Sequence, residues 1–347
     1  MTTQTEHHTT AQALVDRQFA FADLSHPAMA MLQSLAMTDT TEALASGALT
    51  PPKPGSTPPL PQPQAPLSAI DLLRDEISLP SLPSVYAELQ TVIADTSSSA
   101  SDVARVISSD TSLTAFLLRL VNSAFYSFPS QIDTISRAVA VVGTAQLSTL
   151  ALGTSVMTMF TGIPEELTNM EDFWRHSISV GVLARAIAVR SATGEPERFF
   201  VAGLLHDVGR LALCKVAPDR FGDAIATARA KGILLYEAER EALGVDHATL
   251  GGMLLRKWNL PFSLVNAVLY HHDPARASKP EASAVIHLAD ILSCALFHGH
   301  TTERLVPPLS SEAWDALRLT PDDLPACING AQEQIDETLH ALLHDGA

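Results

Sequence analysis

The chain has 347 residues, 46% of them hydrophobic and 17% charged, which is ample apolar material for a sizeable core. Lys and Arg total 22 against 38 Asp and Glu, a net charge of −16, and this excludes non-specific attraction to nucleic acid or to an anionic membrane. Cys214, Cys294 and Cys327 lie far apart with no Cys-x-x-Cys, and read as reduced core residues rather than a disulfide frame.

Residues 1–50 begin without a basic, then apolar, leader, so a cytoplasmic protein is expected. Helix-compatible runs at 11–22 and 27–49, the second with Met29, Met31 and Met37, leave two readings open. The segment is either a largely disordered tail with transient helix or a short docking helix that uses Met as an adaptable contact. Residues 51–66 hold eight prolines in sixteen positions, a composition that favours extended backbone and predicts a linker.

From Ser68 onward the periodicity is helical. Leu82, Val85, Leu89, Val92 and Ile93 form one apolar stripe, Ser101-Asp102 is placed to cap the next run, and Asp110 opens a helix through Leu113, Phe116, Leu117, Leu120 and Val121 that ends by Pro129. Residues 138–164 carry no charge and are long enough to span a bilayer. Their many Ser and Thr residues, with Gly143 and Gly153, instead predict two buried helices meeting at a glycine, and no membrane span is expected. Further helices are predicted at 173–190, from Pro196 through Leu213, and at 220–231, 234–243, 247–258, 261–271 and 282–297, with one or two short ones in 308–347. No alternating run bounded by hairpin turns occurs, so the fold class is all-α. Trp174, Trp258 and Trp314 read as core or rim anchors, and His298, His300, His340 and His344 as solvated. Asn122, read as lying within an apolar helix, is either a buried amide bonded to backbone or the lining of an interface.

The chemistry concentrates in the second half. His206-Asp207 sits inside the apolar run Leu204-Leu205-His206-Asp207-Val208-Gly209-Arg210-Leu211. A buried carboxylate is costly unless a positive group compensates it, and a divalent ion does so well. Gly209 leaves room for a close backbone approach. His271-His272-Asp273 stands at a predicted helix end, His176 lies on a striped helix, and His287 and Asp290 are three apart on another. Several helices thus each offer an N or O ligand, as metal sites in bundle cores require, and the donor types suit iron, manganese or zinc. No organic cofactor is expected.

The order His176, His206-Asp207, Asp290 resembles the metal-binding pattern of the HD superfamily of metal-dependent phosphohydrolases. The first half narrows this. Leu79-Pro80-Ser81-Leu82-Pro83, then Ser108-Ser109-Asp110-Thr111-Ser112-Leu113-Thr114, then Val121-Asn122-Ser123-Ala124-Phe125-Tyr126, is similar to the HDOD domain, the HD-related output domain of bacterial signalling proteins. The resemblance implies an N-terminal helical subdomain packed on an HD-type bundle over residues 67–300, with a helical extension at 301–347. His176, His206, Asp207, His247, His271, His272 and Asp290 would match the metal ligands of the related HD-GYP phosphodiesterases, which cleave cyclic di-GMP. The chain departs from those enzymes in lacking Gly-Tyr-Pro after His271-His272 and in having Arg210 where they have Lys.

Two functions follow from the resemblance. One is a signalling regulator that binds metal and a protein partner without catalysis. The other is a metal-dependent phosphohydrolase, with a cyclic dinucleotide as its ligand. In that case His176, His206, Asp207 and Asp290 would hold one ion and His247, His271 and His272 a second, with Asp207 bridging and Arg210 neutralising substrate charge.

Overall fold

A computed structural model of the chain describes residues 2–50, 60–62, 65–68, 70, 72, 79–123, 126, 128–296 and 305–344. Every regular element among these is helical. The N-terminal segment folds as a hairpin of α1 (Thr2–Gln18) and α2 (Pro27–Ser46), with His26 as the cap of the second helix and Pro27 in its first turn. Ala11, Val15, Phe19, Ala28, Met29, Leu32 and Ala36 are buried, while Met31 and Met37 are partly so. The hairpin is docked on the domain. The Gln18 amide donates to the carbonyls of Cys294 and Ala295, the Gln18 carbonyl accepts from Val306 N–H at 2.8 Å, and His26 meets Trp314 edge-on. Most of the proline-rich stretch lies outside the described residues. Its end is tied down where Leu67 N–H donates to the Leu243 carbonyl at 2.6 Å.

The first lobe comprises α3 (Ser84–Ala94), α4 (Ala100–Ser108), α5 (Thr111–Asn122), α6 (Ile135–Val142) and α7 (Thr144–Met157). Ser99, rather than Ser101, caps α4, and Asp102 closes the reciprocal capping box from the third position. Asp110 caps α5 as expected, accepting from Leu113 N–H at 2.9 Å. The uncharged stretch is two helices bent by 118° at Gly143, whose φ of 96° suits glycine. No single helix among the described residues is long and apolar enough to cross a membrane.

Asn122 differs from the expectation. It is the last residue of α5 and is exposed, yet its amide is fully engaged. Oδ1 accepts from Ile132 N–H at 2.7 Å, and Nδ2 donates to the carbonyls of Ile132 and Leu118. The side chain pins the returning loop to the helix end.

The second lobe is the bundle of α8 (Met170–Arg190), α9 (Pro196–Leu205), α10 (Val208–Val216), α11 (Pro218–Lys231), α12 (Leu235–Leu243), α13 (His247–Lys257), α14 (Phe262–Leu269) and α15 (Pro280–Leu296). The short helices α16 (Ser311–Leu317), α17 (Leu324–Ile328) and α18 (Ala331–Leu339) follow, with α18 packed on α8, and a π-helical turn at His340–His344 ends the described chain. One core runs through both lobes, and Trp174, Trp258 and Trp314 are all buried in it. Trp258 Nε1–H donates to the Pro80 carbonyl at 3.2 Å, joining the lobes where a groove of ≈ 580 Å³ runs past Leu82 and Tyr86. His340 is exposed, whereas His298, His300 and the side chain of His344 lie outside the described residues.

Candidate metal centre

The helix expected from Pro196 through Leu213 is interrupted. Helix α9 stops at Leu205, His206 is its cap residue, and Asp207 adopts φ −97° and ψ 7° before α10 begins. Close packing against other helices flanks this break. A Cβ on Gly203 would lie 2.7 Å from the Gly181 backbone of α8, and one on Gly209 would lie 2.0 Å from the His247 carbonyl of α13. With glycine at both positions, α8 and α13 approach backbone to backbone on either side of His206-Asp207. The turn between them aims both side chains into the space so enclosed.

Five polypeptide segments supply that space. His176 comes from mid-α8, His206 and Asp207 from the α9–α10 turn, His247 from the first residue of α13, His271 and His272 from just beyond α14, and Asp290 from α15. Asp207 is the hub. Its Oδ1 lies 3.0 Å from His247 Nε2, 3.5 Å from His206 Nε2 and 4.0 Å from His271 Nε2. Oδ2 accepts from the Arg210 guanidinium at 2.8 Å and lies 3.9 Å from His176 Nε2. His176 Nε2 is 3.2 Å from Asp290 Oδ1, and His272 Nε2 is 2.9 Å from His247 Nε2. Three ligand groups emerge, His176 with His206 and Asp207, His247 with His271 and His272, and His176 with Asp290 and Cys294, each with its donor atoms within 4.8 Å of one another.

The outer ring nitrogens are held in place. His206 Nδ1 faces the Gly203 carbonyl and His271 Nδ1 the Val268 carbonyl, each at 2.7 Å, so their Nε2 atoms point inward. His247 Nδ1 meets Glu239 Oε2 at 2.6 Å, and His176 Nδ1 meets Ser293 Oγ at 3.0 Å. The Nε2 atoms of His206 and His271 are buried without a hydrogen-bond partner. A buried imidazole nitrogen held in one orientation with nothing to bond is an arrangement that a cation completes, so the donor set fits a divalent ion.

The charges agree. Burial opposes ionisation of Asp207, yet His206, Arg210 and His247 outweigh it and hold the carboxyl well below the usual range. Asp290 is likewise lowered, its burial overcome by His176 and His206. Burial, then the neighbouring imidazoles, pushes His271 down to about 3 and His272 well below its ordinary value, so both are neutral imidazoles able to act as ligands. His247 is the exception. Burial disfavours its charge, but Glu239 and Asp207 raise it to about 10, and an arriving ion would displace its Nε2 proton while Glu239 retains the one on Nδ1.

All seven candidate ligands therefore converge, with Arg210 on the hub carboxylate. His287 does not join them. Its Nδ1 faces the His271 carbonyl at 2.7 Å and its Nε2 accepts from Ser310 N–H at 3.0 Å, so it supports the segment bearing His271. Sequence reasoning missed Glu239, Tyr236, Ser293 and Cys294. Glu239 is fully buried on α12, which also stacks Tyr236 on the His272 ring at 4.1 Å. The available sign was that Glu239 shares a helix face with Leu243, four residues on.

The HDOD domain profile matches residues 79–274, over half of the chain. The chain belongs to the HDOD domain family. Its fold is shared with an HDOD domain protein of unknown function from Geobacter sulfurreducens, at 24% identity and a TM-score of 0.63 over 80% of this chain and 98% of that one. A candidate phosphohydrolase from Shewanella amazonensis SB2B is 26% identical with a TM-score of 0.63, covering 79% of this chain and 98% of its own. An uncharacterised protein of Treponema pallidum (strain Nichols) is 28% identical over 213 residues, which is 60% of this chain but only 40% of that relative's length. In this HDOD domain the matched region holds every ligand candidate except Asp290, which α15 brings in from beyond it.

Proposed function

We propose that this HDOD protein is a signal-transduction regulator whose His/Asp cluster holds a divalent ion, iron, manganese or zinc, and whose surface acts on a protein partner without hydrolysis. The carrying observation is the closure of the cluster. The side chains of His176, His206, Asp207, His271 and Asp290 are between 0% and 7% exposed, and the Arg210 guanidinium lies on the remaining oxygen of the hub. A catalytic ion keeps a position open to water and substrate, whereas an ion enclosed by its ligands stabilises and shapes the fold. The missing Gly-Tyr-Pro and the replacement of Lys by Arg210 support the same reading, because Arg210 already pairs with Asp207.

One observation favours the phosphohydrolase as a second reading. Asp207 Oδ1 faces the first two ligand groups, the arrangement a carboxylate adopts when it bridges two ions, and the Shewanella protein is a candidate phosphohydrolase. Two ions so held would activate water and balance phosphoryl charge. The residues' own part would be for Asp207 to hold these two ligand groups in register and for Arg210 to leave it and bind a phosphate of a cyclic dinucleotide.

Elemental analysis of protein purified aerobically and anaerobically, with a cyclic di-GMP hydrolysis assay on the same samples, separates the readings. The regulator predicts at least one equivalent of metal per chain, lost in Asp207→Ala, and no turnover. Turnover that disappears in Asp207→Ala would establish the phosphohydrolase instead. Absence of stoichiometric metal from both preparations would overturn both.

A further inference from the structure

The imidazole and carboxylate ligands do not exhaust the donors around Asp290. Cys294 stands one helical turn further along α15, on the same face, and is 6% exposed. Its Sγ is 3.5 Å from Asp290 Oδ1, and that same oxygen is 3.2 Å from His176 Nε2. The nitrogen of His176, the oxygen of Asp290 and the sulfur of Cys294 all lie within 4.8 Å of one another. Donors bound to one tetrahedral ion at 2.0–2.3 Å stand roughly 3.3–3.8 Å apart, so two of these separations already match or nearly match the edges of a coordination polyhedron. A second observation lies beside it. His206 Nε2, buried and without a hydrogen-bond partner, is 3.9 Å from Asp290 Oδ1.

We infer that Cys294 is a thiolate ligand, completing a His/Asp/Cys ion site with His176 and Asp290. The inference rests on the metal-binding reading above and specifies the site's chemistry. In the ion-free protein the thiol donates its S–H to Asp290. When the ion binds, the S–H bond breaks heterolytically. The electron pair goes to the ion and the proton to solvent, so uptake releases one proton more than an imidazole and carboxylate set would. A sulfur donor moves the preference towards zinc and iron(II) and away from manganese, which favours oxygen ligands. The other two cysteines provide controls. Cys214 is equally buried but its sulfur faces Thr168 Oγ1 at 3.7 Å, and Cys327 lies in α17; neither belongs to a ligand group among the described residues.

The test is titration of metal-stripped full-length protein with Co²⁺, read by absorption, for wild type, Cys294→Ser, Cys214→Ser and Cys327→Ser. Expected are visible ligand-field bands together with an intense near-ultraviolet thiolate-to-cobalt band. That second band is lost in Cys294→Ser alone, while the variant still binds Co²⁺ through its remaining ligands. Circular dichroism confirms that the variant is folded. Ligand-field bands without the thiolate band in wild type, or a thiolate band that survives Cys294→Ser, would overturn the inference and leave the metal-binding reading intact. Failure of the wild type to bind Co²⁺, Zn²⁺, Fe²⁺ or Mn²⁺ would overturn both.

Discussion

The two lobes bury polar groups in opposite ways. In the first lobe the buried polar side chains of α7 are hydroxyls that bond back to their own helix. Ser148 Oγ donates to the Thr144 carbonyl, and Thr154 and Ser155 both donate to the Ala151 carbonyl. Each is satisfied within one turn and asks nothing of a neighbouring element. The second lobe buries His176, His206, Asp207, His247, His271 and Asp290 in one place, from segments far apart in the chain, and leaves two imidazole nitrogens without a partner. Buried polar groups that are complete locally are compatible with a scaffold. A buried set that is complete only when a further charged species joins it marks a site.

Gly209→Ala should break this contrast most severely. Its methyl would need the position 2.0 Å from the His247 carbonyl, where a rigid backbone and not the end of a side chain stands in the way. The expected result is destabilisation of about 3 kcal/mol, from overpacking, with bound metal lost as well, because α10 and α13 separate and carry Asp207 and His247 apart. Urea denaturation with metal analysis measures both. A variant with wild-type stability and metal content would show that the glycine contact does not hold the site together.

Asn122→Ala should act on the first lobe alone. Two hydrogen bonds between the Asn122 amide and Ile132 hold the loop against the end of α5, a third ties the amide to Leu118, and their loss exposes backbone that water can partly satisfy. About 1–2 kcal/mol of stability should be lost, seen as a lower urea midpoint, with bound metal unchanged. Metal loss in this variant would mean that the lobes are coupled more tightly than their separate polar arrangements suggest.

Much of the fold was legible because helix periodicity and caps are local signals. The HDOD resemblance and the all-α architecture were both readable, and the bend at Gly143 was visible as polar and glycine residues in an uncharged stretch. The interruption at His206-Asp207 was hidden by apolar residues that continue in helical register from Leu204 to Leu211. The break is flanked by contacts with the Gly181 and His247 backbones, which no local pattern encodes. In the site, histidine beside aspartate in an apolar run was conspicuous because buried charge is rare. Glu239 was not conspicuous, since Glu237 and Glu241 flank it on a charged helix and only the tertiary packing buries it. Cys294 reads as core from sequence, because a small thiol in an apolar helix behaves as a hydrophobe. His287 was grouped with Asp290 by spacing, yet both its ring nitrogens face backbone. Asn122 was placed inside a helix that ends upon it, because the apolar stripe gives no sign of where the chain turns back.

Ser148→Ala is the smallest expected effect and the sharpest check on the comparison. Ser148 is 4% exposed, so a hydroxyl needed by the tertiary structure would be missed on removal. Its bond, however, goes to the Thr144 carbonyl at 2.7 Å, which by helix geometry also receives the Ser148 backbone N–H. Deleting the hydroxyl therefore leaves no acceptor bare, removes only one small atom from the packing, and replaces Ser with a better helix former. The change in stability should stay within about 0.5 kcal/mol, of either sign, by urea midpoint. A loss several times larger would mean that α7 also uses its buried hydroxyls between elements, and the division between a locally satisfied lobe and a site-bearing lobe would fail at its simplest member.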